Sequence, residues 1–322
     1  MKRNTIIGKD INKAATFLRE GELVAIPTET VYGLAGNALS RSSVVKIFEA
    51  KQRPQFDPLI VHTHSASEVE KYADVTPQIL KWIEKLSPGP ITYILPKKDV
   101  IPDLVTSGHK TVGIRIPRHK QTLKLLRELE FPLAAPSANP FGYVSPTQAS
   151  HVLDQLNGKL PYILDGGKAS VGIESTIIDL SAEEPTVLRL GGFELSELEE
   201  AMGIKLTNIK LSSSQPNAPG MLHSHYAPKV KLVKGSVSEV REQYPNAKLG
   251  ALRYTEYTHL IPTEDQLLLS ANGDLNEAAQ KLFQRLRQLD STDWEVVAVE
   301  FVPDYGLGKA INDRLTRATH QP

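Results

Sequence analysis

Along most of this 322-residue chain, short apolar runs closed by proline or polar residues alternate with stretches of helical spacing. Residues 23–26, 59–61, 91–95, 112–116, 133–135, 162–164, 176–180 and 186–190 predict strands. Residues 42–50, 78–86 and 121–129 predict helices. Ser145-Pro146 reads as a cap with a first-turn proline, opening a helix to about Leu156. Such alternation restricts the chain to an α/β fold. Because several strands follow one another without a helix between them, the sheet should be mixed.

The chain is too long for one ordinary core. After Ile209 a stretch at 211–220, Leu-Ser-Ser-Ser-Gln-Pro-Asn-Ala-Pro-Gly, has almost nothing to bury and reads as a linker. Beyond it, 230–233, 249–252 and 296–301 predict strands, and 276–289 predicts an amphipathic helix with Ala279, Leu282, Phe283, Leu286 and Leu289 on one side. The expected division is a larger α/β domain at 1–206, a linker at 207–228, and a smaller α/β domain at 229–322.

Several classes of function are excluded or disfavoured. Lys plus Arg and Asp plus Glu each number 37, so the net charge is zero. That disfavours a coat for nucleic acid or for an anionic membrane, though it allows a local basic cleft. Without cysteine there can be no disulfide, thiolate nucleophile or cysteine-based zinc site. The start of the chain lacks a signal-peptide core, and no apolar run approaches the roughly 20 residues of a membrane helix, so the expected address is the cytoplasm. No Walker loop, His-Glu-x-x-His or Gly-x-Ser-x-Gly occurs, and Gly306-Leu307-Gly308-Lys309 reads as a turn.

Five polar groups stand where strands end. Pro27-Thr28-Glu29-Thr30-Val31-Tyr32-Gly33-Leu34 follows a strand directly, at the carboxyl end where open α/β sheets bind ligands, although a polar turn would look similar. Lys51-Gln52-Arg53-Pro54 closes a helix. Its two cations either satisfy that helix's carbonyls or converge as a polyphosphate receptor, a fork plus a point charge. Asp57-Pro58-Leu59-Ile60-Val61-His62 follows. The third group is Ser87-Pro88-Gly89-Pro90 with Thr111-Val112-Gly113-Ile114-Arg115-Ile116-Pro117, an apolar strand with a central arginine. A buried charge is costly unless paired, so Arg115 either has a structural carboxylate partner or awaits a carboxylate ligand. The second reading is preferred, with Gly113 leaving room beside the backbone. Ala134-Ala135-Pro136-Ser137-Ala138-Asn139-Pro140 with Ser145 offers small donors for phosphate. Glu174-Ser175-Thr176, with Arg189 tipping a neighbouring strand, completes the set.

Taken in order, Pro-Thr-Glu-Thr-Val-Tyr-Gly-Leu, Lys-x-Arg-Pro, Pro-Leu-Ile-Val-His, Ser-Pro-Gly-Pro, Gly-Ile-Arg-Ile-Pro, Pro-Ser-Ala-Asn and Glu-Ser-Thr resemble the YrdC-like family of threonylcarbamoyl-AMP synthases over about residues 8 to 205. The tail, with His225-Tyr226-Ala227-Pro228 and 306–315, resembles the extra domain of its longer members. The resemblance implies a twisted mixed-sheet catalytic domain, a linker folded across the active site and a smaller Rossmann-like domain. The implied reaction joins L-threonine, bicarbonate and ATP into threonylcarbamoyl-AMP with release of pyrophosphate, and needs no enzyme nucleophile. It implies that Arg115 clamps the threonine carboxylate, with Thr30, His62, Ala135 and Ser175 lining the threonine pocket. Lys51 and Arg53 would face the phosphates, cradled by Ser137, Asn139 and Ser145, while Thr111, Arg189 and Tyr226 contact the nucleotide. Asp57 stands where asparagine is common in the family and is a candidate nucleotide or metal contact. Magnesium is expected with ATP, held by phosphate oxygens and water. The product would pass to a tRNA threonylcarbamoyl transferase complex, with weak tRNA binding as a further expectation. The alternative is an RNA-binding, translation-associated protein without catalysis. A carbamoyl-transfer enzyme of hydrogenase maturation shares the domain but carries zinc-binding cysteines, absent here.

Overall fold

The computed structural model describes residues 4–211, 218–219 and 226–320. Most of the expected linker lies outside the described residues. The first sheet takes β1 (Ile6–Gly8), β2 (Val24–Ile26), β3 (Gly33–Asn37), β4 (Ile60–His62), β5 (Ile91–Pro96), β6 (Thr111–Arg115), β7 (Leu133–Ala134), β8 (Tyr162–Leu164), β9 (Thr176–Asp179), β10 (Thr186–Arg189) and β11 (Asn208–Ile209). Among the described residues its order is β1-β8-β2-β3-β7-β4-β6-β5-β9-β10-β11. It is mixed, as expected: β4 and β6 run parallel, while β5 and β6 run antiparallel. Because β11 pairs with β10, this sheet extends to Ile209, past the expected boundary at 206.

Its helices are α1 (Ile11–Arg19), α2 (Arg41–Lys51), α3 (Ala66–Val69), α4 (Pro77–Leu86), α5 (Asp103–Thr106), α6 (Lys120–Glu128), α7 (Ala149–Leu156) and α8 (Leu195–Met202). Ser40 caps α2 by accepting from the Ser43 amide, and Thr76 caps α4 with Pro77 in the first turn. The helix expected from Ser145 starts only at Ala149, because the Ser145 hydroxyl is engaged elsewhere, by Glu174. Strand β3, Gly-Leu-Ala-Gly-Asn, lacks β-branched residues and gives no strand signal. Its Gly36 is small because Leu23 packs there, 3.0 Å from where a Cβ would stand.

The second sheet, β12 (Lys231–Lys234), β13 (Leu249–Arg253), β14 (Gln266–Leu268) and β15 (Val296–Val299), is ordered β12-β15-β13-β14 and wholly parallel. Helices α9 (Val237–Gln243), α10 (Leu275–Leu289) and α11 (Leu307–Thr319) accompany it, the parallel-sheet-with-helices arrangement of a Rossmann-like domain. Gly306-Leu307-Gly308-Lys309 is not a simple turn. Gly306, at φ 51°, caps α11, which begins at Leu307.

Besides the buried clusters that each sheet keeps to itself, the two domains share one. Val31, Val144, Ile173 and Tyr226 join Phe283, Leu286, Ile311 and Leu315 in one buried apolar cluster. Gly172, at φ +84°, brings the 170–175 loop against α10 so closely that a Cβ would lie 2.4 Å from the Gln280 Cα. No helix among the described residues is long and apolar enough to cross a membrane.

Candidate active site

Register brings the first pair together. His62 on β4 stands opposite Arg115 on parallel β6. Ile60 and His62, two residues apart on one face of β4, both line a cavity shared with Arg115. The cavity lies at strand ends: His62, Arg115 and Arg189 are the last residues of β4, β6 and β10, and Ala135 follows β7. The β2–β3 turn contributes Thr28 and Val31, and Gly33 bridges to Ser137, whose segment adds Ala135 and Pro136 to the wall. Glu174, Ser175, Arg189 and Arg53 close another side, and Pro219 and Tyr226 cover it. Gly191 lets the segment bearing Ser175 pass, since a Cβ there would lie 2.4 Å from the Glu174 oxygen.

Most of the sequence-derived site residues meet here, but not all. Arg53, His62, Arg115, Ala135, Ser137, Ser175, Arg189 and Tyr226 line the cavity; Thr30, Lys51, Asp57, Thr111, Asn139 and Ser145 do not. The Thr30 hydroxyl lies 2.8 Å from that of Thr28, which takes the place at the wall. Thr111 lies at the opposite end of β6 from Arg115, about 13 Å along the strand. Lys51 and Arg53 do not converge on an open anion seat. The Lys51 Nζ donates to the carbonyls of Ser137 and Asn139, both at 2.5 Å, so it fixes the loop that presents Ser137. Burial, then the Arg53 guanidinium, pushes the Lys51 ammonium well below its usual range. Arg53 reaches the cavity wall while its Nη2 sits 2.9 Å from Asp57 Oδ2 and its Nε donates to the Asp57 carbonyl. Asp57 is thus first of all the partner of Arg53. Asn139 donates its amide to Pro140 and Tyr143 and holds the same loop.

Arg115 is not unpaired. Its Nη2 lies 2.9 Å from Glu29 Oε1, and both side chains are almost wholly buried. This corrects the preference for a guanidinium without a partner; Gly113 also faces Ile94, Thr92 and Ile60 side chains rather than an open space. A buried guanidinium needs a counter-charge to exist in the empty fold, and the turn after β2 supplies one. The contact is close but not aligned: neither Glu29 oxygen, nor Arg115 Nε or Nη2, has a hydrogen bond among the described residues. Arg115 therefore carries its compensating charge behind it and retains donors for a ligand carboxylate. Arg189 donates to the Ser175 carbonyl and hydroxyl and to the Pro219 carbonyl, and among the described residues it has no carboxylate within ion-pair distance. It is the least compensated cation of the wall.

His62 is neutral at physiological pH: burial, then Arg115, pulls its pKa down to about 3. It can shape a pocket or accept a hydrogen bond but is no cationic clamp. The unfolded chain takes up this proton near pH 6.5 whereas the native one resists it, so stability is present above 6.5 and lost as pH falls towards 3. We expect the unfolding free energy to drop by about 3 kcal/mol at pH 4.5 from this group alone. Thermal melts should show a weaker acid dependence for His62→Gln than for the natural chain.

A larger groove of about 620 Å³ runs along the seam between α8 and α10, but no expected site residue lines it. Its walls mix Lys85 and Arg118 with Glu194, Glu197 and Glu200, and it lacks the convergence of cations and hydroxyls seen in the first cavity.

Residues 16–191 match the family model for the Sua5, YciO and YrdC proteins, described as "Telomere recombination", and residues 193–319 match "Threonylcarbamoyl-AMP synthase, C-terminal domain". Threonylcarbamoyl-AMP synthase of Pyrococcus abyssi is 40% identical, the match covering 96% of this chain and 94% of that protein. This chain belongs to the threonylcarbamoyl-AMP synthase family. The Bacillus subtilis threonylcarbamoyl-AMP synthase is 38% identical over 96% of this chain and 92% of its own length. The crystal structure of P. abyssi Sua5 complexed with L-threonine superposes with a TM-score of 0.89 at 38% identity, covering 98% of both chains. Within this synthase fold, the residues that sequence reasoning missed are Thr28 and Glu174 in the wall, Glu29 behind Arg115, and Arg314 behind Glu174. All four stand inside the motifs singled out, but nothing local pairs Arg314 with Glu174, 140 residues away.

Proposed function

We propose that this chain makes threonylcarbamoyl-AMP and pyrophosphate from L-threonine, bicarbonate and ATP. One observation carries the reading: three guanidinium groups, Arg53, Arg115 and Arg189, face one cavity that also presents the hydroxyls of Thr28, Ser137 and Ser175. Two anionic groups of different character, a carboxylate and a polyphosphate, suit such a wall. Arg115, backed by Glu29, takes the threonine carboxylate, while neutral His62, Thr28 and Ser175 surround the side chain. A pocket that hydrogen-bonds the threonine hydroxyl discriminates against an amino acid lacking it. Arg53, Arg189 and Ser137 take the phosphates.

The chemistry needs only orientation and charge neutralisation. The threonine amine, once deprotonated, attacks the bicarbonate carbon, and water leaves. The resulting carbamate oxygen attacks the α-phosphorus, breaking the bond to pyrophosphate. Charge gathers on the departing pyrophosphate, where Arg53 and Arg189 stand ready. Among the described residues no group of three or more His, Asp or Glu could bind a metal by itself. Magnesium is expected to enter with ATP, carried mainly by phosphate oxygens and water. Such an ion supplies charge neutralisation.

The cavity holds only about 50 Å³ as it stands, far below the roughly 300 Å³ at which small-molecule pockets begin. ATP enters only if Pro219 and Tyr226 move outward. The product, an activated carbamoyl adenylate, would be consumed by a transferase acting on tRNA in the cytoplasm. Initial rates of pyrophosphate release test the reading. All three of ATP, L-threonine and bicarbonate are expected to be required, and omission of any one to leave less than about 5% of the rate. Pyrophosphate release indifferent to threonine would reject it.

A further inference from the structure

We propose that Arg314, on α11 of the second domain, is a positioning residue for the nucleotide half of the catalytic cavity, acting through Glu174 and the ring of Tyr226. The inference rests on the synthase reading above and gives the second domain a stated part in it. Arg314 is fully buried and does not itself line the cavity. Its Nε donates to Glu174 Oε2 at 3.2 Å. The other carboxylate oxygen, Glu174 Oε1, accepts from the Ser145 hydroxyl at 2.6 Å. One carboxylate of the wall is therefore held between a hydroxyl of the first domain and a guanidinium of the second.

Arg314 Nη1 also donates to the carbonyl of Leu190, the residue next to Arg189, and to Ala310. Its guanidinium carbon stands 5.8 Å from the centre of the Tyr226 ring, and that ring stacks on Phe283 of α10 at 5.3 Å. Glu174, Arg189 and Tyr226 all line the cavity; Glu174 and Tyr226 touch α10 or α11 directly, and Arg189 is reached only through the neighbouring Leu190 carbonyl. None of the threonine-side residues, Arg115, His62 or Thr28, has a direct polar contact with Arg314.

A buried ion pair is weak evidence for stability, because well-packed apolar residues often serve as well. Its use here is electrostatic. Glu174 is an anion in the wall of a site built for phosphates, and Arg314 cancels its charge and fixes its direction. Loss of the guanidinium leaves an uncompensated carboxylate facing the nucleotide, while the threonine end keeps its own pair. The effect should fall on ATP and spare threonine.

Full-length natural protein, Arg314→Met, Arg314→Lys and the double variant Arg314→Met/Glu174→Gln are compared by KM for ATP, KM for threonine and unfolding midpoint, with rates taken well below every midpoint. Arg314→Met should raise the KM for ATP at least about tenfold and change the KM for threonine less than about twofold. Lysine, which keeps the charge but not the fork, should fall between. The double variant, with no unpaired carboxylate, should recover to within about threefold of the natural KM for ATP, and it carries the test if Arg314→Met alone fails to fold. Equal changes in both KM values, or a double variant no better than the single, would overturn the assignment. Natural protein that releases no pyrophosphate from ATP would instead overturn the synthase reading, and this inference with it.

Discussion

Replacing Arg115 with alanine is expected to cut kcat/KM for threonine by about a thousandfold, corresponding to about 4 kcal/mol lost at the carboxylate clamp. The same substitution should lower the unfolding midpoint. Glu29 would be left buried without its counter-charge, a defect that typically costs about 3–5 kcal/mol. Steady-state rates with varied threonine and a thermal melt separate the two effects. Adding Glu29→Gln should recover much of the midpoint, because the stranded charge is gone, but none of the threonine dependence. Unchanged threonine kinetics in Arg115→Ala would mean that the clamp lies elsewhere in the cavity.

Ending the chain after Ile209 is expected to lower the apparent affinity for ATP by at least about tenfold and to destabilise what remains. Three things leave together. Tyr226 and Pro219 no longer cover the cavity. Arg287, whose Nε donates to the Ser145 carbonyl and whose Nη2 donates to Val144 and Gln155, no longer holds the loop around Ser145. Val31, Val144 and Ile173 lose the apolar partners they share with α10 and α11 and become exposed. Calorimetric titration with ATP checks the first consequence, and a melt of the shortened chain checks the last. Natural ATP affinity in the shortened chain would show that the second domain has no part in the site.

What the sequence made legible was whatever is local. The α/β alternation, and the strands and amphipathic helix after the linker, follow from periodicity, whereas the one cap read from the chain, Ser145-Pro146, does not open a helix there. Strand β3 was not legible, because its two glycines answer to the close approach of Ala135 and Leu23 and say nothing of strand. The site divided the same way. Which residues are polar near strand ends can be read from the chain; which face they share is set by register, and the pairing of His62 with Arg115 decides it. Partners were the hardest to see. Glu29 and Arg115 stand far apart in sequence, as do Glu174 and Arg314, so nothing local announces that either arginine is already paired. The placement of Lys51 illustrates the cost of reading charge without geometry. Two cations near a helix end suggest one anion seat, yet Lys51 is spent on the carbonyls of Ser137 and Asn139, and only Arg53 reaches the cavity.

The two-ended cavity is tested most directly by a crystal structure of this protein with L-threonine and a non-hydrolysable ATP analogue. The account predicts the threonine carboxylate within hydrogen-bond distance of Arg115, and phosphate oxygens on Arg53 and Arg189. Threonine bound away from Arg115, with that guanidinium still engaged by Glu29 alone, would contradict it.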